Sequence, residues 1–176
     1  MRRDRTPRAR GALLAAALGA AWLAAGCGGL DNEPLPLPSP SFDYFVCAVQ
    51  PILDRECSAP SCHGTPDRGL QLLSPSRMRI TAEYDKARAD LSDEEIELGM
   101  HPALTDAELS FNYEQCRGFA FARSVDDPPQ ILSRPLALAA GGIYHEKHGD
   151  VFPSKTDPRY LTIQRWLFGA TGENCP

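Results

Sequence analysis

One octapeptide constrains this chain more than anything else in it: Cys57-Ser58-Ala59-Pro60-Ser61-Cys62-His63-Gly64. Two thiols followed at once by an imidazole form the arrangement that fixes a c-type haem. The sulfurs add to its two vinyl groups and the histidine comes up beneath the iron. The usual spacer between the cysteines is two residues; here it is four. Such a spacer spans the vinyls by bulging the backbone, and Pro60 stiffens the bulge. Two other readings stay open. In an exported domain Cys57 and Cys62 would form a disulfide, with each other or with other cysteines. Zinc held by Cys57, Cys62, His63 and a distant ligand is the third reading. Against it, exported thiols are usually oxidised and the flanking sequence reads as helix rather than as a zinc knuckle.

The N-terminus bears on the compartment. Arg2, Arg3, Arg5, Arg8 and Arg10 precede an apolar run from Gly11 to Ala25, so residues 1–26 read as an export signal. That run is too short for a comfortable transmembrane helix. Leu23-Ala24-Ala25-Gly26-Cys27 resembles the bacterial lipoprotein signal, in which the cysteine is lipidated and becomes the new N-terminus. The best examples carry leucine three places before the cysteine, whereas here Leu23 stands four before it. Gly28, where aspartate commonly signals inner-membrane retention, implies outer-membrane anchoring; plain secretion is the alternative. Without residues 1–26 the chain holds 13 basic and 22 acidic residues, a net charge of −9. That charge repels phosphate backbones and excludes nucleic acid as a partner. A basic protein partner fits it, as does a simple solubility role.

Residues 27–41 read as a lipidated linker. Pro34, Pro36, Pro38 and Pro40 alternate along it, which favours polyproline II at about 3.1 Å per residue. Residues 42–176 are then one domain, large enough for a core of its own. Ser41 caps a helix from Phe42, with Phe42, Phe45, Val46, Val49 and Leu53 on its apolar face and Pro51 kinking or restarting it. This helix delivers the Cys57–His63 loop at its C-terminal end. Residues 76–98 read as a charged, solvated helix with Tyr84, Leu91 and Ile96 inward. Thr105-Asp106-Ala107-Glu108 is a capping box opening a helix over about 106–123, with Leu109, Tyr113, Cys116 and Ala120 on one face. Residues 124–135 read as irregular. The last helix starts at Thr156-Asp157-Pro158, buries Tyr160, Ile163, Trp166 and Leu167, and stops at Gly169. The fold class expected is all-α with long irregular loops, and no internal repeat is present.

Several segments recur in a known order: Val49-Gln50-Pro51-Ile52-Leu53, the Cys57–Gly64 motif, Gly69-Leu70 with Leu72, and Ile131 to Leu136. Ala140-Gly141-Gly142 with His145 follows, then Asp157-Pro158 with Tyr160, Ile163, Trp166 and Leu167. In this series the chain resembles a family of haem c domains in exported bacterial proteins and lipoproteins. The resemblance implies a small class I cytochrome c-like domain with one covalent haem c between the first and last helices. It implies electron transfer with a redox partner protein in the cell envelope, and no independent catalysis. In class I domains the sixth iron ligand comes from the loop before the last helix, where His145 stands. Bis-histidine ligation by His63 and His145 would favour a lower potential than methionine ligation. Gly141-Gly142 would let the backbone approach the macrocycle closely.

The alternatives at this position are Met100, the residue type common in class I domains, then His101, His148 and Met78, or an open site. A surface-loop histidine is the plain reading of His145. His145-Glu146-Lys147-His148 lacks the i, i+4 spacing of a zinc protease helix. Cys47, Cys116 and Cys175 remain once Cys27 is lipidated and Cys57 and Cys62 carry haem; two of them would pair, and spacing does not choose which. Arg134 is a candidate partner for a haem propionate, with a surface ion pair as its plain role. The rival function is a haemless, disulfide-stapled surface lipoprotein with a structural or binding role.

Overall fold

A computed structural model describes residues 38–77, 79–121, 128–145 and 149–176. The export signal, Cys27, most of the linker, Met78 and His148 lie outside these residues.

Helix α1 carries the functional loop at its end. Ser41 accepts a hydrogen bond from the Tyr44 N–H at 3.2 Å and caps it as expected. The helix is α-helical over Phe42–Tyr44, π-helical over Phe45–Val49 and α-helical again over Gln50–Glu56. Pro51 stands in the first turn of the last α-helical stretch, so the α-helix restarts there after the π turn. Its ring crowds the carbonyl four residues back, and a wider π turn just before it makes room. The extra residue per turn also rotates the buried face. Tyr44, Phe45, Ala48, Val49, Ile52 and Leu53 point inward, while Phe42 lies at the surface and Val46 is only half-buried.

The charged stretch is two short helices rather than one, α2 over Ala82–Arg88 and α3 over Asp93–Glu97. Ser92 restarts the chain with a complete capping box to Glu95, and three carboxylates in the first turn suit the positive end of that helix. Tyr84 is buried; Leu91 and Ile96 are half-buried.

Helix α4 spans Asp106–Gly118, with both halves of the Thr105/Glu108 box made, and ends short of the expected residue 123. Its buried positions are Glu108, Asn112 and Cys116, two of them polar. Asn112 bonds to both main-chain groups of Leu73, each at 2.8 Å, and to Gln50 at 3.0 Å. Glu108 meets the equally buried Arg79 at 2.7 Å, and Thr81 also donates to it. Burial works to raise the Glu108 pKa, but hydrogen bonds from Arg79, Thr105 and Thr81 outweigh it and hold the carboxyl below its usual range. Arg79 spends its remaining donors on the carbonyls of Ser74, Pro102 and Ala103, so the pair is fully bonded.

The stretch expected to be irregular contains a short helix, α5, over Gln130–Ser133. A 3-10 turn follows at Leu138–Ala140, and Leu136 bridges to Phe152. Helix α6 spans Pro158–Leu167, with Asp157 accepting from the Arg159 N–H at 2.9 Å and Gly169 ending it at φ +94°. Tyr160, Ile163 and Trp166 are buried, Leu167 only partly. Among the described residues there is no strand, and the domain is all-α.

Helices α1 and α6 meet through the Phe45 and Trp166 rings, 5.4 Å apart. The Trp166 indole N–H donates to the Ser41 carbonyl at 2.9 Å, and Tyr113 of α4 donates to Pro40 at 2.6 Å. Pro40 and Ser41, the last linker residues on the sequence reading, are thus bound into the domain. Cys47 pairs with Cys175, joining α1 to the chain's end, and Cys116 is left free and buried in the core.

Candidate functional site

Helix α1 ends where the loop begins. The N–H groups of Cys57 and Ser58 both donate to the Leu53 carbonyl, at 2.9 and 3.0 Å. Ser58 is wholly buried, and its hydroxyl turns back onto the main-chain carbonyl of Asp54. The longer spacer is accommodated there: Ser58 folds under, and the chain from Ala59 on makes tight turns. Cys62 and Gly64 both donate to Ala59, at 2.8 and 3.0 Å. Gly64 is where these turns close, because a Cβ would run into the Ser58 carbonyl oxygen.

His63 is fastened at its main chain and its ring. Its N–H donates to Cys57 at 3.0 Å, its carbonyl accepts from Leu72 at 2.7 Å, and its ring Nδ1 bonds to the Leu70 carbonyl at 3.0 Å. That last contact is the kind of outer partner that orients a metal-ligating imidazole. It makes Nδ1 the protonated nitrogen, so that the ring's lone pair is on Nε2.

The second histidine sits on an irregular segment. Gly142 donates to Ala137 and Ile143 to Ser133, at 3.0 and 2.9 Å. A Cβ on Gly142 would strike the Leu136 carbonyl, and Gly141 takes φ +90° to end the 3-10 turn. Gly142 is thus required for close packing of the chain on itself, and Gly141 for its left-handed backbone. At its end stands His145, whose Nδ1 is buried with no hydrogen-bond partner. The His63 and His145 rings lie 5.9 Å apart, centre to centre, with planes 18° from parallel.

Cys57, Cys62, His63 and His145 all line one cavity of about 320 Å³. Its other walls are mostly apolar and include Leu53, Phe119, Ile131, Phe152 and Ile163, drawn from α1, α5, α6 and the loops between. Arg68 and Arg134 are the charged side chains on its lining, and both are exposed. The two thiols are free and half-buried. Burial, with the charges of Glu56 and Cys62, pushes the Cys57 thiol up to about 12, only partly offset by Arg159. Among the described residues no three of His, Cys, Asp or Glu stand close enough to hold a bare ion.

Of the alternative sixth ligands, Met100 and His101 do not line this cavity. Met100 is exposed, and His101 bonds through Nδ1 to the Tyr84 hydroxyl at 2.8 Å. Arg134 bonds to Gln130 one turn earlier on its own helix. Sequence reasoning missed Arg159. It pairs with Glu56 at 3.0 Å and Asp157 at 2.8 Å, and donates to the Val151 carbonyl at 3.0 Å. It thereby ties the residue before Cys57 to the chain between His145 and α6. The chain matches no protein-family model, no curated protein and no solved structure.

Proposed function

We propose that this domain is a mono-haem electron-transfer module, with haem c held by Cys57 and Cys62 and ligated by His63 and His145. One observation carries the reading. Both thiols and both imidazoles, far apart in sequence, line a single apolar cavity, with the rings 5.9 Å apart and close to parallel. The free thiols fit the same group.

When bound, the haem supplies one-electron redox chemistry, and the protein supplies its attachment and surroundings. Cys57 and Cys62 would anchor it at the mouth of the loop. Leu70 orients His63 and raises its basicity through Nδ1. Leu53, Phe119, Ile131, Phe152 and Ile163 exclude water and lower the local dielectric, which sets the cost of changing charge inside. In the same proposal the chain is exported and held to the outer membrane through Cys27, with a redox partner protein in the envelope. The Cys47–Cys175 disulfide suits an oxidising compartment. It suits equally the haemless stapled lipoprotein, which is the second reading.

The pyridine haemochrome spectrum of the exported protein, made alongside haem-attachment machinery, separates the two. A c-type spectrum that survives acid–acetone extraction is expected. No haem, with Cys57 and Cys62 oxidised on thiol titration, overturns the haem reading in favour of the stapled lipoprotein.

A further inference from the structure

We infer that His145 is an exchangeable ligand, one that gives way to a small neutral diatomic such as carbon monoxide or nitric oxide in the reduced protein. The inference rests on the haem reading above and gives the module a gas-binding capacity besides electron transfer.

The two imidazoles on the cavity are unequally supported. The Nδ1 of His63 bonds to Leu70, and the same residue's N–H and carbonyl are bonded to Cys57 and Leu72. His145 has none of this among the described residues. Its Nδ1 is shut away from solvent and cavity alike and has no acceptor. The last main-chain bond before it is that of Ile143. Loss of such an outer partner weakens a histidine ligand by about 10–100-fold in metal affinity. A ligand that is bound but weakly held leaves its place for a corresponding fraction of the time. A competitor then binds with its affinity reduced by the fraction of molecules whose site is open.

The cavity wall selects the competitor. The elements adjoining His145 contribute Ile131, Pro135 and Phe152 to the lining. Apolar walls favour a small uncharged ligand over a hydrated anion. No carboxylate lines the cavity among the described residues, and the two arginines on its lining, Arg68 and Arg134, are exposed at its surface.

The test uses the whole exported holoprotein, first shown by its haemochrome to carry haem c. Dithionite-reduced protein is mixed with increasing carbon monoxide and followed by its Soret band, alongside His145→Ala. The expected wild type is low-spin at rest and binds carbon monoxide completely, with a rate that levels off as the gas rises because His145 departure becomes limiting. The variant is expected to bind with a rate linear in gas concentration and with a higher affinity, since its site is open in every molecule. No uptake by the wild type in gas-saturated buffer would overturn the inference, since His145 would then be firmly held. A high-spin resting protein with a linear rate would overturn it too, since His145 would then not be a ligand. Wild-type kinetics decide among these even if the variant does not fold. Absence of haem c in the haemochrome is a different result and sinks the proposed function instead.

Discussion

The two histidine-bearing segments face one another across one cavity and are built by different means. His63 lies in a loop that folds back on its own helix, and main-chain bonds and a ring bond hold it. His145 follows a segment in which Gly142 packs on Leu136 and Ile143 bonds to Ser133, and its own ring Nδ1 has no hydrogen-bond partner. The imidazole near Cys57 and Cys62 is positioned by local chain geometry. The one brought from the far end of the domain depends on how the intervening elements pack. The difference teaches where rigidity in such a site originates: in short-range turns for one imidazole, in tertiary contacts for the other.

The sharpest way to break this comparison is to exchange the roles of the two residues. His63→Ala is expected to abolish the low-spin spectrum and most haem incorporation, because the same change removes a ligand and the ring bond that pins the loop to Leu70. His145→Ala is expected to keep covalent haem at wild-type yield, in a high-spin ferric form read by absorbance and electron paramagnetic resonance. Equal loss of haem in both variants would mean that the two segments contribute equally to site formation.

The glycines come next in size. Gly64→Ala drives a methyl group into the Ser58 carbonyl, and Gly142→Ala drives one into Leu136. Each is expected to cost roughly 3 kcal/mol in urea unfolding, since backbone must move to make room. Gly141→Ala has space for its Cβ but a φ of +90°, so strain alone should cost about 1–2 kcal/mol. A Gly142→Ala protein as stable as wild type would show that the base of the His145 segment is not tightly anchored.

Much of this architecture is legible in the sequence because its signals are local. Ser41, the Thr105/Glu108 box and Asp157-Pro158 announce helix starts through their own side chains, and the structure has all three. That His145 should stand opposite Cys57, Cys62 and His63 is implied by the resemblance to haem c domains rather than by any local signal, and all four line one cavity. What sequence did not reveal is settled at long range. The π turn before Pro51 changes which α1 residues are buried, and no periodicity rule anticipates a one-residue shift. Asn112 and Glu108 occupy inward positions of α4 because Leu73 and Arg79, dozens of residues earlier, supply their partners. The Cys47–Cys175 pairing likewise depends on where the last turn of chain comes to rest beside α1.

The smallest effect concerns the link between the two segments. Arg159 reaches Glu56 beside Cys57 on one side and Val151, beyond His145, on the other, with Asp157 as its closest ionic partner. Hydrogen bonding from Arg159 is the main reason that the Asp157 carboxyl is held down to about 2. Its folded-state pKa is thus below the value of about 3.9 expected in the unfolded chain. Stability from this group is present above pH 4 or so and is lost as pH falls through about 2, because the unfolded state takes up the proton first. Asp157→Asn keeps a side-chain oxygen to cap α6 but removes the charge. It is expected to cost about 1–2 kcal/mol at pH 7 and to flatten the loss of stability between about pH 4 and pH 2. Urea midpoints measured across that range provide the check. If wild type and variant fall in parallel, Arg159 draws its hold from Glu56 and the Val151 carbonyl, and the His145 segment is joined to the cysteine loop without Asp157.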